Sequence, residues 1–187
     1  TEMLAKISSV LNHEIITLAD KSVNFKIEGG RKLSGKVSVN TSKNAAVALL
    51  CASLLNEGRT LLRSMPRIEE VHRLIEVMES VGVSVRWVNS NDLEILPRKI
   101  DLKNINDESG RKTRIIIMFI GPLMHLLGKF RLPYAGGCSL GQRTVKPHLY
   151  ALNEFGLEVT TKEGWYYCVS RPVNPGKVVM YESGNTP

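Results

Sequence analysis

The sequence predicts an α/β protein made of a repeated supersecondary unit, on three observations. Helical stretches alternate with short strands in the same order twice. Glycine turns recur at matching points, Gly58 with Gly128 and Gly82 with Gly156, offset by 70 and 74 residues. The first helical stretch of each unit is apolar on nearly every side, whereas the second is amphipathic. Two complete units of βαβαββ type are expected, over about residues 43–100 and 111–172.

At the start, Met3, Leu4, Ile7, Val10, Leu11, Ile15 and Leu18 recur at helical spacing, so residues 1–22 are expected to be a helical extension. Residues 23–39 alternate apolar and polar around Gly29-Gly30 and predict a hairpin, within an opening segment of residues 23–42. The first repeat then reads as helix 44–55, strand 60–63, a proline turn at Pro66 and helix 68–81. Past Gly82 it closes with a hairpin of residues 84–88 and 92–96.

The second repeat follows the same order: helix 113–127, strand 130–133, a glycine loop, helix 146–155, and a hairpin of residues 157–161 and 165–170. Ala45 to Leu50 and Ile115 to Ile120 are unbroken apolar runs, so both first helices are expected to be covered on every side. The helix over 68–81 instead lines up Ile68, Val71, Leu74, Ile75 and Met78 against Glu69, Glu70, Arg73, Glu76 and Glu79. One of its faces is expected to meet solvent.

Composition narrows the function. The 187 residues are 43% hydrophobic and 23% charged, as in ordinary globular proteins, and no apolar run reaches the roughly 20 residues that a membrane span requires. No basic segment followed by an apolar block opens the chain, so no secretory signal is visible, and with a start at Thr1 that says little. The net charge is +7, but Lys and Arg are dispersed among 18 acids and do not alternate with aromatics. That pattern predicts small anionic substrates and no nucleic acid. Three cysteines, Cys51, Cys138 and Cys168, lie far apart without metal-ligand spacing, so no metal is expected. Cys51 and Cys168 fall in regular elements and read as packing residues, whereas the odd count suits a reducing compartment.

Cys138 is different. It lies among Gly136, Gly137 and Gly141 with Arg143 close by, in a loop whose glycines let backbone approach a ligand and whose cation favours a thiolate. The alternative is a small apolar residue at a turn. Lys43 stands at a predicted strand-to-helix boundary, where helical amides favour anions and an ammonium adds a mobile charge. Arg114 opens an otherwise apolar helix, at the end where the dipole disfavours cations, so an anionic ligand would explain it. A solvent-facing helix-end arginine is the other reading. His72 and His125 lie within helices and read as structural or solvated.

Three segments, Ser42-Lys43-Asn44-Ala45-Ala46, Arg114 with the run ending Gly121-Pro122-Leu123, and Gly136-Gly137-Cys138 through Arg143 to His148, resemble those of the enolpyruvyltransferase family. The match covers about residues 24–187 and looks like the N-terminal part of its UDP-N-acetylglucosamine 1-carboxyvinyltransferase branch. The 5-enolpyruvylshikimate-3-phosphate synthases share the fold and the early lysine but, as a family, lack the cysteine loop.

The resemblance implies an inside-out α/β fold whose domains each hold three repeat units. Residues 43–187 would then be an incomplete first domain, and residues 23–42 would belong to the second. It implies transfer of the enolpyruvyl group from phosphoenolpyruvate to the 3′-hydroxyl of UDP-N-acetylglucosamine, without a cofactor. That reaction is cytoplasmic, opens peptidoglycan synthesis for cell wall, shape and division, and is the target of fosfomycin. Cys138 takes the position of the family's proton donor, which fosfomycin alkylates. Lys43, Arg114 and Arg143 take those of phosphoenolpyruvate ligands, and Asn44 contacts the sugar nucleotide.

Two departures stand out. After Arg143 the family usually has proline, valine and an acidic residue, whereas here Thr144, Val145 and Lys146 follow; His148 matches. Gly184, Asn185 and Thr186 stand where a Ser-Val-Gly stretch commonly meets the diphosphate. The family's aspartate base lies in a C-terminal half, so the partner expected here is that half, on the same or a separate chain, and this chain alone is expected to be inactive. Two other readings remain: a non-catalytic sugar-nucleotide or anion-binding module, and an enolpyruvyltransferase for a different acceptor.

Overall fold

A computed structural model of the chain describes residues 30, 32, 34–39, 41–134, 145–171, 177 and 179. The chain divides into two units, Thr1–Asn40 and Thr41–Pro187. The expected helix over 1–22 and most of the expected 23–39 hairpin lie outside the described residues. Residues 34–39 are exposed and carry no strand.

In the second unit the first repeat opens with helix α1 (Lys43–Ala52), where Ser42 caps the end by accepting a hydrogen bond from the Ala45 amide at 3.3 Å. A 3₁₀ turn over Ser53–Leu55 extends it. The Asn56 carboxamide then accepts from the Gly58 amide at 3.2 Å and donates to Thr60 Oγ1 at 2.8 Å, turning the chain into strand β1 (Thr60–Leu62). Helix α2 (Glu69–Ser80) has two acids in its first turn and buries Val71, Leu74, Ile75, Val77 and Met78. Gly82 ends it at φ 95°, and a Cβ there would lie 3.2 Å from the Lys99 carbonyl oxygen. Strands β2 (Ser84–Trp87) and β3 (Leu93–Leu96) complete the hairpin.

The second repeat runs from a 3₁₀ stretch over Arg114–Phe119 directly into helix α4 (Ile120–Leu126). It continues through β4 (Lys129–Pro133), α5 (Lys146–Asn153), β5 (Leu157–Lys162) and β6 (Trp165–Ser170). Between the repeats lie a 3₁₀ turn over Leu102–Asn104 and helix α3 (Asp107–Arg111), two elements too short for periodicity to signal. Each repeat folds its strands into an antiparallel three-stranded sheet with the last strand central, in the orders β1-β3-β2 and β4-β6-β5. The registers pair Leu62 with Leu93 and Leu132 with Tyr166. The fold is therefore the repeated α/β arrangement that the sequence predicts.

Two expectations need correction. The stretch 113–127 is not one α-helix, because Pro122 has no N–H to offer the Met118 carbonyl and its ring would collide there. The chain passes 114–119 as 3₁₀ and restarts α geometry at Ile120, which places Pro122 in a first turn. Nor are the first helices of the repeats covered on every side: Leu50, Ile116 and Ile120 are fully buried, but Leu49 is 51% and Met118 39% exposed.

The core joins both repeats. Leu50, Leu74, Met78, Leu93 and Ile95 from the first lie in one cluster with Ile116, Phe119, Leu123, Leu132 and Leu157 from the second. At about 25 cal/mol per Å² of apolar surface, continuity of this kind ties the stability of each repeat to the other.

Candidate active site

Lys43 and Asn44 occupy the first turn of α1, and both are exposed. Residues 41 and 42 carry no strand, so Lys43 follows an irregular segment instead of the expected strand. Its Nζ forms an ion pair with Glu70 Oε1 on the first turn of α2, with the two side chains 47% and 36% exposed. The hydrogen bond from the Lys43 ammonium holds the Glu70 carboxyl below its ordinary pKa, against a smaller opposing effect of burial.

The connection after β1 is fixed from two sides. Thr41 Oγ1 donates to the Ser64 carbonyl, the Ser64 amide donates to Asp92 Oδ1 at 2.9 Å, and the Met65 amide donates to the Asn91 carbonyl at 2.6 Å. Ser64 itself sits at φ 56°, a left-handed conformation that a side chain disfavours. These bonds hold the strained turn that leads into α2 and so set where Glu70 meets Lys43.

Arg114 begins the 3₁₀ stretch and is half-buried. Preceding it, Thr113 is only 2% exposed, and its Oγ1 accepts from the Ile115 amide at 3.2 Å. Because α1 packs on the Arg114–Phe119 stretch and on α2, Lys43, Asn44, Glu70 and Arg114 all belong to one packed helical group.

Val145 caps α5, where its carbonyl accepts from the amides of His148 at 3.1 Å and Leu149 at 3.2 Å. His148 is exposed on that first turn. Here α5 packs on β5, so Val145 and His148 belong to the second repeat. Cys138, Arg143, Thr144, Gly184, Asn185 and Thr186 lie outside the described residues. The cysteine loop occupies the same place in its repeat, between β4 and α5, as the Ser64 turn does between β1 and α2.

The other two thiols are poor nucleophiles. Burial pushes Cys51 up to about 12 and Cys168 likewise to about 12, and the residues are only 3% and 2% exposed. His125 is exposed, and His72 stands 6.1 Å from the Trp87 ring at a tilted angle. Among the described residues no cluster of His, Cys, Asp and Glu is suited to a metal ion, and no helix is long and apolar enough to cross a membrane.

Sequence reasoning placed Glu70 only on the polar side of its helix and missed it as the partner of Lys43. The signal was present: Glu69 and Glu70 open a helix, where acids are favoured, one repeat connection after a lysine that opens another.

The sequence model of the family described as EPSP synthase (3-phosphoshikimate 1-carboxyvinyltransferase) matches residues 27–183. The chain belongs to this family. UDP-N-acetylglucosamine 1-carboxyvinyltransferase 1 of Legionella pneumophila (strain Lens) is 37% identical over 147 residues, which cover 79% of this chain and 29% of that protein. The UDP-N-acetylglucosamine 1-carboxyvinyltransferase of Gloeobacter violaceus is 32% identical over 156 residues, covering 83% of this chain and 34% of that protein. The chain thus spans about a third of the length of these relatives.

Solved structures agree on the fold. The enolpyruvyl transferase NikO from Streptomyces tendae superimposes with a TM-score of 0.66 at 18% identity, over 78% of this chain and 32% of that one. An EPSP synthase from Acinetobacter baumannii gives 0.55 at 17% identity, over 73% of this chain and 32% of that one.

Proposed function

We propose that this chain carries the thiol and much of the phosphoenolpyruvate site of an enzyme that transfers an enolpyruvyl group to the 3′-hydroxyl of UDP-N-acetylglucosamine. The observation that carries the proposal is the 37% identity, over 79% of the chain, to a UDP-N-acetylglucosamine 1-carboxyvinyltransferase. The glycine loop with Cys138 is the feature that ties the resemblance to that branch. The setting is the first step of peptidoglycan synthesis in the cytoplasm, with fosfomycin as an inhibitor. Residues 23–42 belong to a second domain, and residues 43–187 to a first domain completed by a C-terminal half.

In this reading Lys43 and Arg114, with Arg143, bind the phosphate and carboxylate of phosphoenolpyruvate through charge-assisted hydrogen bonds. Asn44, Thr144, Val145 and His148 line the sugar nucleotide, and Gly184, Asn185 and Thr186 offer backbone amides to its diphosphate. Cys138 gives its thiol proton to the methylene carbon while the sugar hydroxyl adds to the neighbouring carbon and loses its proton to the aspartate of the C-terminal half. Loss of phosphate and of one methyl proton then restores the enol ether. The cations stabilise the tetrahedral intermediate and the leaving phosphate.

Calorimetric titration with UDP-N-acetylglucosamine, with and without phosphoenolpyruvate, tests the binding part. Arg114→Lys and Arg143→Lys should each weaken phosphoenolpyruvate binding, because an ammonium cannot supply the paired donors of a guanidinium. About 1.5 to 3 kcal/mol per charged hydrogen bond is the expected scale. Unchanged affinity in both variants would remove these arginines from the site.

A further inference from the structure

The Lys43 ammonium already has an anion within the chain, the carboxylate of Glu70. The partner is not a chance neighbour on the same helix. It lies 27 positions away on a different helix, presented by a turn that Thr41, Asp92 and Asn91 fasten. Thr41 stands two residues before Lys43, so the bond from its hydroxyl to the Ser64 carbonyl draws the start of α1 and the entry to α2 together.

From this geometry we infer that Glu70 is a positioning residue: it holds Lys43 Nζ when no ligand is bound, and an incoming phosphate or carboxylate takes its place. This rests on the reading of Lys43 as an anion ligand given above. An ammonium has three N–H donors and no acceptor, so it can exchange one carboxylate oxygen for a ligand oxygen without being deprotonated. Both side chains are partly exposed, and ion pairs of that kind are weak enough to yield to a better anion. A shorter acid keeps the charge that a flexible lysine side chain can follow, whereas an amide keeps the shape and removes the charge.

The expectation is a site tuned for discrimination: singly charged anions at low concentration fail to displace Glu70, and a multiply charged ligand that also engages Arg114 succeeds.

The test uses the 187-residue chain and needs no turnover. Lys43 acylation by a trace of N-hydroxysuccinimidyl acetate is read by peptide mapping in the wild type, Glu70→Gln and Glu70→Asp, across a titration of phosphoenolpyruvate. Lys43 should label several-fold faster in Glu70→Gln than in the wild type. Phosphoenolpyruvate should protect it at a concentration about 2- to 5-fold lower in Glu70→Gln, while Glu70→Asp, which keeps the charge, stays near the wild type. Labelling of Lys103, on the turn between the repeats, and the far-ultraviolet circular dichroism serve as checks that the variants are folded. Equal labelling and equal protection in the wild type and Glu70→Gln would overturn the role of Glu70 while leaving Lys43 as an anion ligand. Absence of protection in all three proteins would instead remove Lys43 from the anion site, and this inference with it.

Discussion

Glu94, on the central strand of the first sheet, faces Arg86 across the β2–β3 pair, and Arg86 Nε donates to its Oε1 at 2.5 Å. Arg59 holds the other carboxylate oxygen, and the Glu94 residue is 9% exposed. A carboxylate so enclosed is tolerable because two guanidinium groups complete its hydrogen bonds.

The hydrogen bond from Arg86, before that from Arg59, holds the Glu94 carboxyl below its ordinary pKa. A value lowered in the folded state means stability that is present above the unfolded value of about 4.3 and is lost as pH falls through the folded one. Urea unfolding should therefore show the wild type more stable than Glu94→Gln at pH 7. The gap should narrow progressively below about pH 4.3. A gap independent of pH would place the effect in packing instead.

Gly82 and Gly156 end the second helices of the two repeats at φ 95° and 86°. Alanine at either position should cost about 1 to 2 kcal/mol in thermal or urea unfolding, the scale of a left-handed residue with a side chain. At Gly82 the added Cβ would also meet the Lys99 carbonyl oxygen at 3.2 Å, so that neighbour must give as well. Equal stability of the wild type and Gly82→Ala would show that the turn relaxes.

Thiol labelling separates the three cysteines. With Cys51 and Cys168 buried and pushed up to about 12, iodoacetamide at pH 7.5 should modify Cys138 first, and fosfomycin should react there alone. Peptide mapping that finds Cys51 or Cys168 modified ahead of Cys138 in the folded chain would contradict the assignment.

Leu49 and Leu55, 51% and 50% exposed, form part of an uncovered apolar face on the first helical segment. Leu49→Lys and Leu55→Lys should reduce self-association in sedimentation velocity at little cost in stability. Unaltered association would locate the sticky surface elsewhere.

Most of the repeat was legible because its signals are local. The alternation of Leu93 to Leu96 and of Leu157 to Lys162, the amphipathic stripe of Val71, Leu74, Ile75 and Met78, and the turns at Gly82 and Gly156 each fix an element within a few residues. What the sequence concealed depends on contacts between segments. The uncovered side of α1 depends on what packs against it, and apolar composition alone says only that a cover would be favourable. The Lys43–Glu70 pair depends on two helix starts meeting across a turn held by Thr41 and Asp92. The 3₁₀ stretch before Pro122 was legible in principle, since proline excludes an α hydrogen bond to Met118, but the length of the apolar run outweighed it. The candidate site was legible as residue types at motif spacing, which a pattern conveys, and not as distances, which it does not.

The central claim, that this chain supplies the thiol side of an enolpyruvyl-transfer site, is tested most directly by phosphate release from a single polypeptide that joins it to the C-terminal remainder of the Legionella pneumophila relative. A positioned base is worth about 10² to 10⁴ in rate and substrate orientation between two domains more, so the 187-residue chain alone should release no phosphate above background. The joined protein should release phosphate only when phosphoenolpyruvate and UDP-N-acetylglucosamine are both present, and Cys138→Ala should abolish most of it. Release that needs only one substrate, or that survives Cys138→Ala unchanged, would contradict the account.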